Sequence, residues 1–326
     1  MLPDDDAPRR SLNPAQKILL CLALGLARLL RLPGYRGLAL LAGLTGFCFW
    51  HLARKRRRLA VASIERHLAV EHAEAERIAR LSFKSNFLSF LEILFASSFT
   101  LYGNPRLSYP AAFGELAVSK DRPIVGVTCH LGAWELLAGV LGQFRPDYPS
   151  LVAGRNQKSD LMTVLIHRLR STGSSASVGH RNIAALISKT LRDKGTAAFV
   201  VDHNASRDEA IFLPFLGEEA SVNVGPAMLS LRSKSIVMPL FLKRLKPGHY
   251  ELVLLDCLDS AELVGSIKER TRQIAEFYTR AAETCVRMAP EQWFWMHDRW
   301  KTKPSGWKKR ALEQLNKEDE NASGNV

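Results

Sequence analysis

One histidine and one carboxylate interrupt the apolar stretch VGVTCHLGAWELLAG, which runs over residues 125–139. His130 follows a strand-like apolar run, and Glu135 lies five residues later inside a second apolar run. A histidine whose ring is held by a carboxylate is a general base with a fixed tautomer and a stabilised cation. The stretch therefore suggests a base that deprotonates a hydroxyl group.

The spacing of the two residues is weak evidence by itself. Nine histidines give about one such pair by chance, and the chain holds a second pair at His203 and Asp208. Residues five apart on an ideal helix point about 140° away from each other. We therefore expect His130 to lie on a turn before a helix, with Gly132 permitting the turn and Glu135 reaching back from the first helical turns.

The chemistry that fits this pair is direct attack by a substrate hydroxyl. The sequence has no GxSxG elbow, and the side chain of Cys129 should point away from that of His130 if the strand continues. We expect His130 to deprotonate a hydroxyl that attacks an activated acyl carbon, without a covalent acyl-enzyme. A structural histidine is one alternative. A metal site without the HExxH motif is another, with His130, Glu135, Asp202 and His203 as its ligands.

Short apolar runs alternate with helical patterns from residue 123 onward, which predicts an α/β fold with a mixed, largely parallel sheet flanked by helices. Predicted strands cover 123–129, 150–154, 196–202, 235–243 and 250–256, and predicted helices lie within 59–99 and over 132–142, 160–171, 182–193 and 267–288. Ligands gather at the carboxyl ends of parallel strands. His130, Arg155 and Asp202 each follow a predicted strand, so we expect them at one edge of the sheet.

Composition limits the classes of protein that fit. With 326 residues and 47% hydrophobic residues, the chain can bury a large core and is not intrinsically disordered. Its 45 Lys and Arg against 32 Asp and Glu give a net charge of +13, which favours nucleic acid, anionic lipid or an acidic carrier protein as a partner. Five cysteines without a CxxC pair indicate a reduced, cytosol-facing chain.

The first 58 residues have the composition of a membrane anchor. Residues 18–50 are rich in Leu, Ala and Gly but are interrupted by three arginines and a Pro-Gly pair. The best apolar piece, 37–52, would rise about 24 Å as a helix, short of a bilayer core of about 30 Å. ARKRRR follows at 53–58 and would face anionic headgroups on the cytoplasmic side.

We predict an anchor over 1–58, either spanning or interfacial, a catalytic domain over 59–306 and a polar tail over 307–326. The alternative is a buried helical hairpin followed by an exposed basic run.

Four stretches resemble the lipid A biosynthesis acyltransferases, the late or secondary lauroyl and myristoyl transferases of Gram-negative bacteria. They are CHLGAWE (129–135), FVVDHN (199–204), FLPFLGEEA (212–220) and MAPEQWFWMHDRWKTKP (288–304). The last is the most specific because it is a long ordered match. The resemblance covers residues 32–306.

The resemblance implies a fold like that of the glycerolipid acyltransferases and an inner-membrane enzyme active on the cytoplasmic side. Such an enzyme moves a fatty acyl chain from acyl carrier protein to a hydroxyl of a lipid A precursor and needs no cofactor. Its implied partners are acyl carrier protein, the lipid A precursor and anionic membrane lipid, with no nucleic acid. The implied catalytic residues are His130 and Glu135, and the implied substrate-binding residues are Arg155, Asp202, Arg168 and Arg181.

Physical chemistry agrees with these assignments. Backbone amides near Gly132 or the guanidinium of Arg155 could stabilise the oxyanion that forms from the thioester. Basic side chains suit a phosphorylated disaccharide, with Lys158 and Arg170 as further candidates or as merely solvated charges.

The chain also departs from the family pattern. It has Gln157, Lys158 and Ser159 where the family often has Asn-Pro, and FLG where the family has FFG. These departures leave the acceptor and the acyl length open. The alternatives are the same chemistry on another glycolipid or a lysophospholipid, hydrolysis of the thioester by water, and an inactive membrane-bound scaffold.

Overall fold

The chain forms a mixed, largely parallel sheet flanked by helices, which confirms the predicted α/β class. The computed structural model describes residues 12–118, 122–154, 157–170, 175–178 and 183–305. The described helices are Pro14–Arg31 (α1), Gly34–Leu52 (α2), Arg54–Leu68 (α3), His72–Ala96 (α4), Ala111–Val118 (α5), Leu137–Phe144 (α6), Asp160–Arg170 (α7), Ile183–Arg192 (α8), Gly225–Ser233 (α9) and Ile267–Met288 (α10). The described strands are Leu107–Ser108 (β1), Ile124–Thr128 (β2), Ser150–Ala153 (β3), Ser175–Val178 (β4), Thr196–Val200 (β5), Ala210–Phe215 (β6), Glu218–Asn223 (β7), Ile236–Lys246 (β8), His249–Leu254 (β9) and Leu258–Asp259 (β10).

Strand β2 lies at the centre of the main sheet. The strand order is β1-β9-β8-β2-β5-β3-β4, and β10 pairs with β8. β2 runs parallel to both of its neighbours, β5 and β8, and all five of its residues are buried. Such an unbroken apolar run is typical of a strand covered on both faces. Antiparallel pairing occurs between β8 and β9 and between β8 and β10.

Two separate apolar cores cover the two faces of β2, because successive side chains of a strand point to opposite faces. Val125 and Val127 belong to a core with Ile274 of α10. Ile124 belongs to a second core with Val140 of α6. Both cores exclude water from the strands and leave the carboxyl ends of β2 and β5 as the place where polar groups collect.

Helices α1 and α2 pack against α4 and leave apolar side chains exposed. Ala42 of α2 packs in a core with Leu88 and Leu94 of α4. None of the described helices is by itself long and apolar enough to cross a membrane, whereas α1 and α2 together pass this test of length and composition, with a bend of 106° between them. Side chains that are more than half exposed on this pair include Ile18, Leu22, Leu26, Leu29, Leu40, Leu44, Phe47 and Leu52.

The predicted domain boundaries stay predictions. The boundary proposed at residue 58 falls inside α3, and the tail over 307–326 lies outside the described residues. Within the described part, the five predicted strands and the helix over 267–288 are confirmed. The helix predicted over 132–142 begins instead as a short 3₁₀ turn over Trp134–Leu136, which α6 continues. The hairpin of β6 and β7 was not predicted.

Candidate active site

The parallel register of β2 and β5 brings His130 next to Asp202. Thr128 at the end of β2 is paired with Val200 at the end of β5. Each polar residue comes two positions after one of these partners, so the two reach the same level at the edge of the sheet. The N–H of Val201 also donates to the carbonyl of Thr128 at 2.9 Å, which extends the pairing toward the site.

The carboxylate of Asp202 accepts three hydrogen bonds. Nδ1 of His130 donates to Oδ1 at 2.8 Å, and the backbone N–H of His130 donates to Oδ2 at 2.9 Å. The indole N–H of Trp293 donates to the same Oδ2 at 2.7 Å. The Asp202 side chain is 0% exposed and that of His130 is 26% exposed, so the imidazole reaches solvent while its partner does not.

The two groups shift each other's pKa. Burial alone lowers the pKa of His130, but the charge of Asp202 and the hydrogen bond to it outweigh burial, so the pKa is raised above its ordinary value. Burial alone raises the pKa of Asp202, but the charge of His130 and the bond from it, with help from His297 and Trp293, hold that pKa well below its usual range. The pair therefore favours an ionised carboxylate beside an imidazole that binds a proton readily.

Glu135 does not reach His130. Both of its carboxylate oxygens accept from Arg170 of α7, at 2.7 Å from Nε to Oε2 and 2.6 Å from Nη2 to Oε1. The expectation that Glu135 holds the imidazole directly is therefore wrong in geometry. The reason is that the strand register offers Asp202 as the nearer carboxylate, while the 3₁₀ turn directs Glu135 to α7. Glu135 still contributes through its charge, which raises the pKa of His130, whereas Arg170 lowers it.

A glycine turn carries the chain from His130 to the first helical turn. Gly132 has φ of +64°, and a Cβ there would lie 2.1 Å from the carbonyl oxygen of Leu242, so the turn requires glycine. Its N–H donates to the carbonyl of Gln292 at 3.2 Å, and that of Ala133 donates to the carbonyl of Leu242 at 2.8 Å. These two amides, which we expected as oxyanion donors, are therefore already occupied.

A buried ion pair holds this turn from beneath. Arg244 donates to both carboxylate oxygens of Glu92, at 2.9 Å from Nε and 2.5 Å from Nη2. Nη2 also lies 3.2 Å from the carbonyl oxygen of Gly132, to which the hydroxyl of Ser89 donates as well. The hydroxyl of Tyr250 donates to Glu92 at 2.7 Å. The network joins α4, β8 and β9 to the loop that positions His130.

Residues 292–294 run alongside the His130 loop. Trp293 forms an antiparallel bridge with Leu131, and the N–H of Phe294 donates to the carbonyl of His130 at 3.0 Å. Nε2 of His297 lies 3.2 Å from the carbonyl oxygen of Asp202. Residues 292–297 therefore form one wall of the site.

Aromatic rings lie close to the imidazole of His130. The ring centroid of Trp134 lies 4.8 Å from that of His130, and that of Phe294 lies 6.1 Å away. Phe90 of α4 contacts both of these aromatic rings edge to face and is 43% exposed. Trp134 is only partly buried. The imidazole of His130 thus lies beside an aromatic surface that is partly open to solvent.

Comparisons with known proteins show the family of this chain. The family model for the bacterial lipid A biosynthesis acyltransferase matches residues 9–302 of the chain. The chain belongs to this family. The lipid A biosynthesis lauroyltransferase of Escherichia coli K12 is 29% identical over 196 residues, covering 58% of this chain and 59% of the relative. The palmitoleoyltransferase of the same strain is 25% identical over 193 residues, covering 58% of this chain and 60% of the relative. The chain thus matches these relatives over less than two thirds of their length.

The structure places the predicted site residues of this family member unevenly. His130 and Asp202 come together, and Glu135 lies near them on the following turn. Arg168 lies exposed on α7. Arg155 and Arg181 lie outside the described residues. Among the residues described, no three His, Cys, Asp or Glu side chains are arranged to hold a metal ion.

Two contacts of the site were not predicted from the sequence. The sequence suggests Arg170 as a phosphate contact or a solvated charge, whereas in the structure it is the partner of Glu135. Trp293 lies in the most specific family stretch, 288–304, but no role could be given to its side chain. Its position inside that match was the available signal.

Proposed function

We propose that this chain transfers a fatty acyl group from acyl carrier protein to a hydroxyl of a lipid A precursor. The observation that carries this proposal is the bond between Nδ1 of His130 and Asp202 beside a partly open aromatic surface. Membership in the lipid A acyltransferase family supports the acceptor class. Acyl carrier protein is an acidic partner, which the net charge of +13 would attract.

His130 acts as the general base in this proposal. With Nδ1 bound to Asp202, Nε2 has no hydrogen-bond partner among the described residues and is available to the acceptor hydroxyl. The hydroxyl gives its proton to Nε2 while its oxygen attacks the thioester carbonyl. The carbon–sulfur bond then breaks, the imidazolium returns the proton to the leaving thiolate, and an ester and a free thiol result. No covalent acyl-enzyme forms.

Arg170 is placed to stabilise the negative charge that develops on the carbonyl oxygen. Glu135 binds its Nε and Nη2, while Nη1 has no partner among the described residues. A fixed cation in a partly buried site stabilises an oxyanion without reorganising. Glu135 then contributes to the reaction by holding Arg170 in place. Arg155, Arg168 and Arg181 remain proposed contacts for the phosphates of the acceptor.

We further propose that the chain works at the cytoplasmic face of the inner membrane. The exposed apolar side chains of α1 and α2 would enter the lipid, and the exposed Arg54, Lys55, Arg56 and Arg58 of α3 would bind anionic headgroups. Both contacts would hold the chain at the membrane surface, and this would keep His130 close to a membrane-bound acceptor.

The test is a reaction of the purified full chain in detergent micelles with acyl-loaded carrier protein and a lipid A precursor. Mass spectrometry should find one added acyl ester on the precursor, with little free fatty acid when the precursor is present. His130→Ala should abolish the ester, whereas His72→Ala, at an exposed histidine of α4, should not. Release of free fatty acid at the same rate with and without precursor would show a hydrolase instead.

A second test identifies the natural acceptor. Lipid A from cells that lack this chain should be short of one secondary acyl group, and the missing mass gives the chain length. Unchanged lipid A together with a change in another glycolipid would move the proposal to that acceptor.

A further inference from the structure

We propose that Trp293 is a positioning residue of the reaction, which fixes the carboxylate of Asp202 and through it the imidazole of His130. The inference rests on the proposed function, because it assigns a role within that site. Its basis is the 2.7 Å hydrogen bond from the indole N–H of Trp293 to Oδ2 of Asp202.

Asp202 depends on protein donors alone. Its side chain is 0% exposed, so solvent cannot satisfy its oxygens. His130 supplies two of the three bonds, one from its ring and one from its backbone. Trp293 supplies the third, which is the one bond of these three that does not come from the residue being positioned. Without it, the carboxylate could turn together with the imidazole.

Trp293 itself has little freedom to move. It is 0% exposed, and its ring contacts those of Trp295 at 4.5 Å, His297 at 5.3 Å and Phe215 at 5.6 Å between centroids. Its backbone is bridged to Leu131, next to the base. The donor is therefore rigid, and it is joined to the same loop that carries the imidazole.

An indole is chemically suited to this role. Its N–H donates but does not accept, and it does not titrate in the range of the reaction, so it cannot take the proton that His130 must move. The donated bond also withdraws part of the charge of Asp202. Loss of the bond should leave a stronger acceptor for the imidazolium and therefore raise the pKa of His130 further.

The test compares two Trp→Phe variants of the full chain. Trp293→Phe keeps a large ring and removes the donor to Asp202. Trp295→Phe is the matched control, because Trp295 is also buried in the same stretch but donates to the carbonyl of Pro290 at 2.8 Å. We expect Trp293→Phe to lower kcat on the order of tenfold with little change in KM. The acid limb of the pH–rate profile of Trp293→Phe should move to higher pH, while Trp295→Phe should retain the native profile.

The other ionisable groups around the pair of His130 and Asp202, called the dyad below, are the same in both variants. A shift of the pH–rate profile can therefore be assigned to the lost bond. They are Cys129, Glu135, Arg170, His203, His297 and Arg299. Equal kcat and equal pH profiles for the two variants would overturn the inference.

A measurement on the imidazole of His130 separates this inference from the proposed function. The pKa of His130, followed by NMR in histidine-labelled protein, should rise in Trp293→Phe and not in Trp295→Phe, whatever reaction the chain catalyses. An unshifted pKa would overturn the positioning role even if acyl transfer is confirmed.

A variant that retains Trp293 covers the case in which Trp293→Phe does not fold. In Trp134→Phe protein labelled at tryptophan nitrogen, one indole N–H signal should titrate together with His130. Trp134 is removed because its ring lies beside the imidazole. If no indole signal follows that titration, Trp293 is not coupled to the base and the inference is overturned.

Discussion

The guanidinium of Arg170 binds both carboxylate oxygens of Glu135, at 2.7 Å from Nε and 2.6 Å from Nη2. The Glu135 side chain is 4% exposed and that of Arg170 is 18% exposed, so the pair is largely shielded from solvent. Bidentate geometry fixes the plane of the guanidinium as well as its distance. Glu135 therefore has a partner other than His130, and Glu135 and Arg170 should act as a unit.

Glu135 and Arg170 should show coupled effects on turnover. Arg170→Ala removes the proposed oxyanion donor and should lower kcat about 10²-fold to 10³-fold. Glu135→Gln should lower it less, and the double variant should be no worse than Arg170→Ala, because Glu135 acts through Arg170. Steady-state kinetics of the three variants checks this. Arg272→Ala, which removes an exposed pair with Glu276 of α10, is the control. Independent, additive losses would contradict the coupling.

Arg168 and Arg170 should affect different kinetic constants although they are two residues apart on α7. Arg168 is exposed, and a phosphate contact there would act on acceptor binding. We expect Arg168→Ala to raise the KM for the lipid acceptor with kcat nearly unchanged, and Arg170→Ala to lower kcat. Titrations of the lipid acceptor at a saturating concentration of acyl-loaded carrier protein measure both KM and kcat. A loss of kcat in Arg168→Ala would contradict the separation.

The buried pair of Glu92 and Arg244 should matter for stability. Glu92→Gln leaves the Arg244 guanidinium without a carboxylate in a site where Glu92 is 0% and Arg244 7% exposed, and this should cost about 3–5 kcal/mol. Replacing both residues with Met should recover much of that loss. Denaturant unfolding measures the difference, and Glu276→Gln in an exposed pair should leave the midpoint unchanged. A small effect of Glu92→Gln would mean that water or another group compensates the charge.

The exposed apolar side chains of α1 and α2 should drive binding to lipid. Leu40→Ser with Leu44→Ser removes two side chains that are 78% and 61% exposed. We expect weaker binding to vesicles that contain anionic lipid, with folding unaffected because neither residue is in a core. Ile267→Ser, at a side chain 70% exposed at the start of α10, is the control. Equal vesicle binding by both variants would contradict an interface on this helix pair.

Much of the sheet and the shared location of His130 and Asp202 follow from the sequence. The apolar runs predicted the five strands, and the rule for carboxyl ends of strands predicted that His130 and Asp202 share an edge. Their direct bond was not predicted, although it follows from the register, since each residue comes two positions after a paired residue. Arg170 and Trp293 could not be predicted to bond their carboxylates. These contacts join residues 35 and 91 positions apart, and local periodicity carries no information about them.

The hairpin of β6 and β7 was missed for a local reason. Its turn places Leu216 at φ +50° and Gly217 at φ +84°. Two-residue hairpin turns in which both residues have a positive φ angle usually contain Asn-Gly or Asp-Gly. The sequence Leu-Gly therefore does not predict a hairpin here. Tertiary contacts hold this unusual turn, because Glu283 accepts from the N–H of Leu216 at 2.9 Å and His67 contacts its carbonyl at 3.1 Å.

The pH dependence of acyl transfer by Asp202→Asn tests the dyad most directly. The proposed reaction needs neutral His130, and Asp202 raises the pKa of that imidazole, so the acid limb of the native pH–rate profile should lie above the ordinary histidine value of about 6.5. Removing the carboxylate charge should lower that pKa and move the limb to lower pH, while the plateau rate falls about 10²-fold to 10⁴-fold because the tautomer is no longer fixed. A native plateau with an unmoved limb in Asp202→Asn would contradict the account.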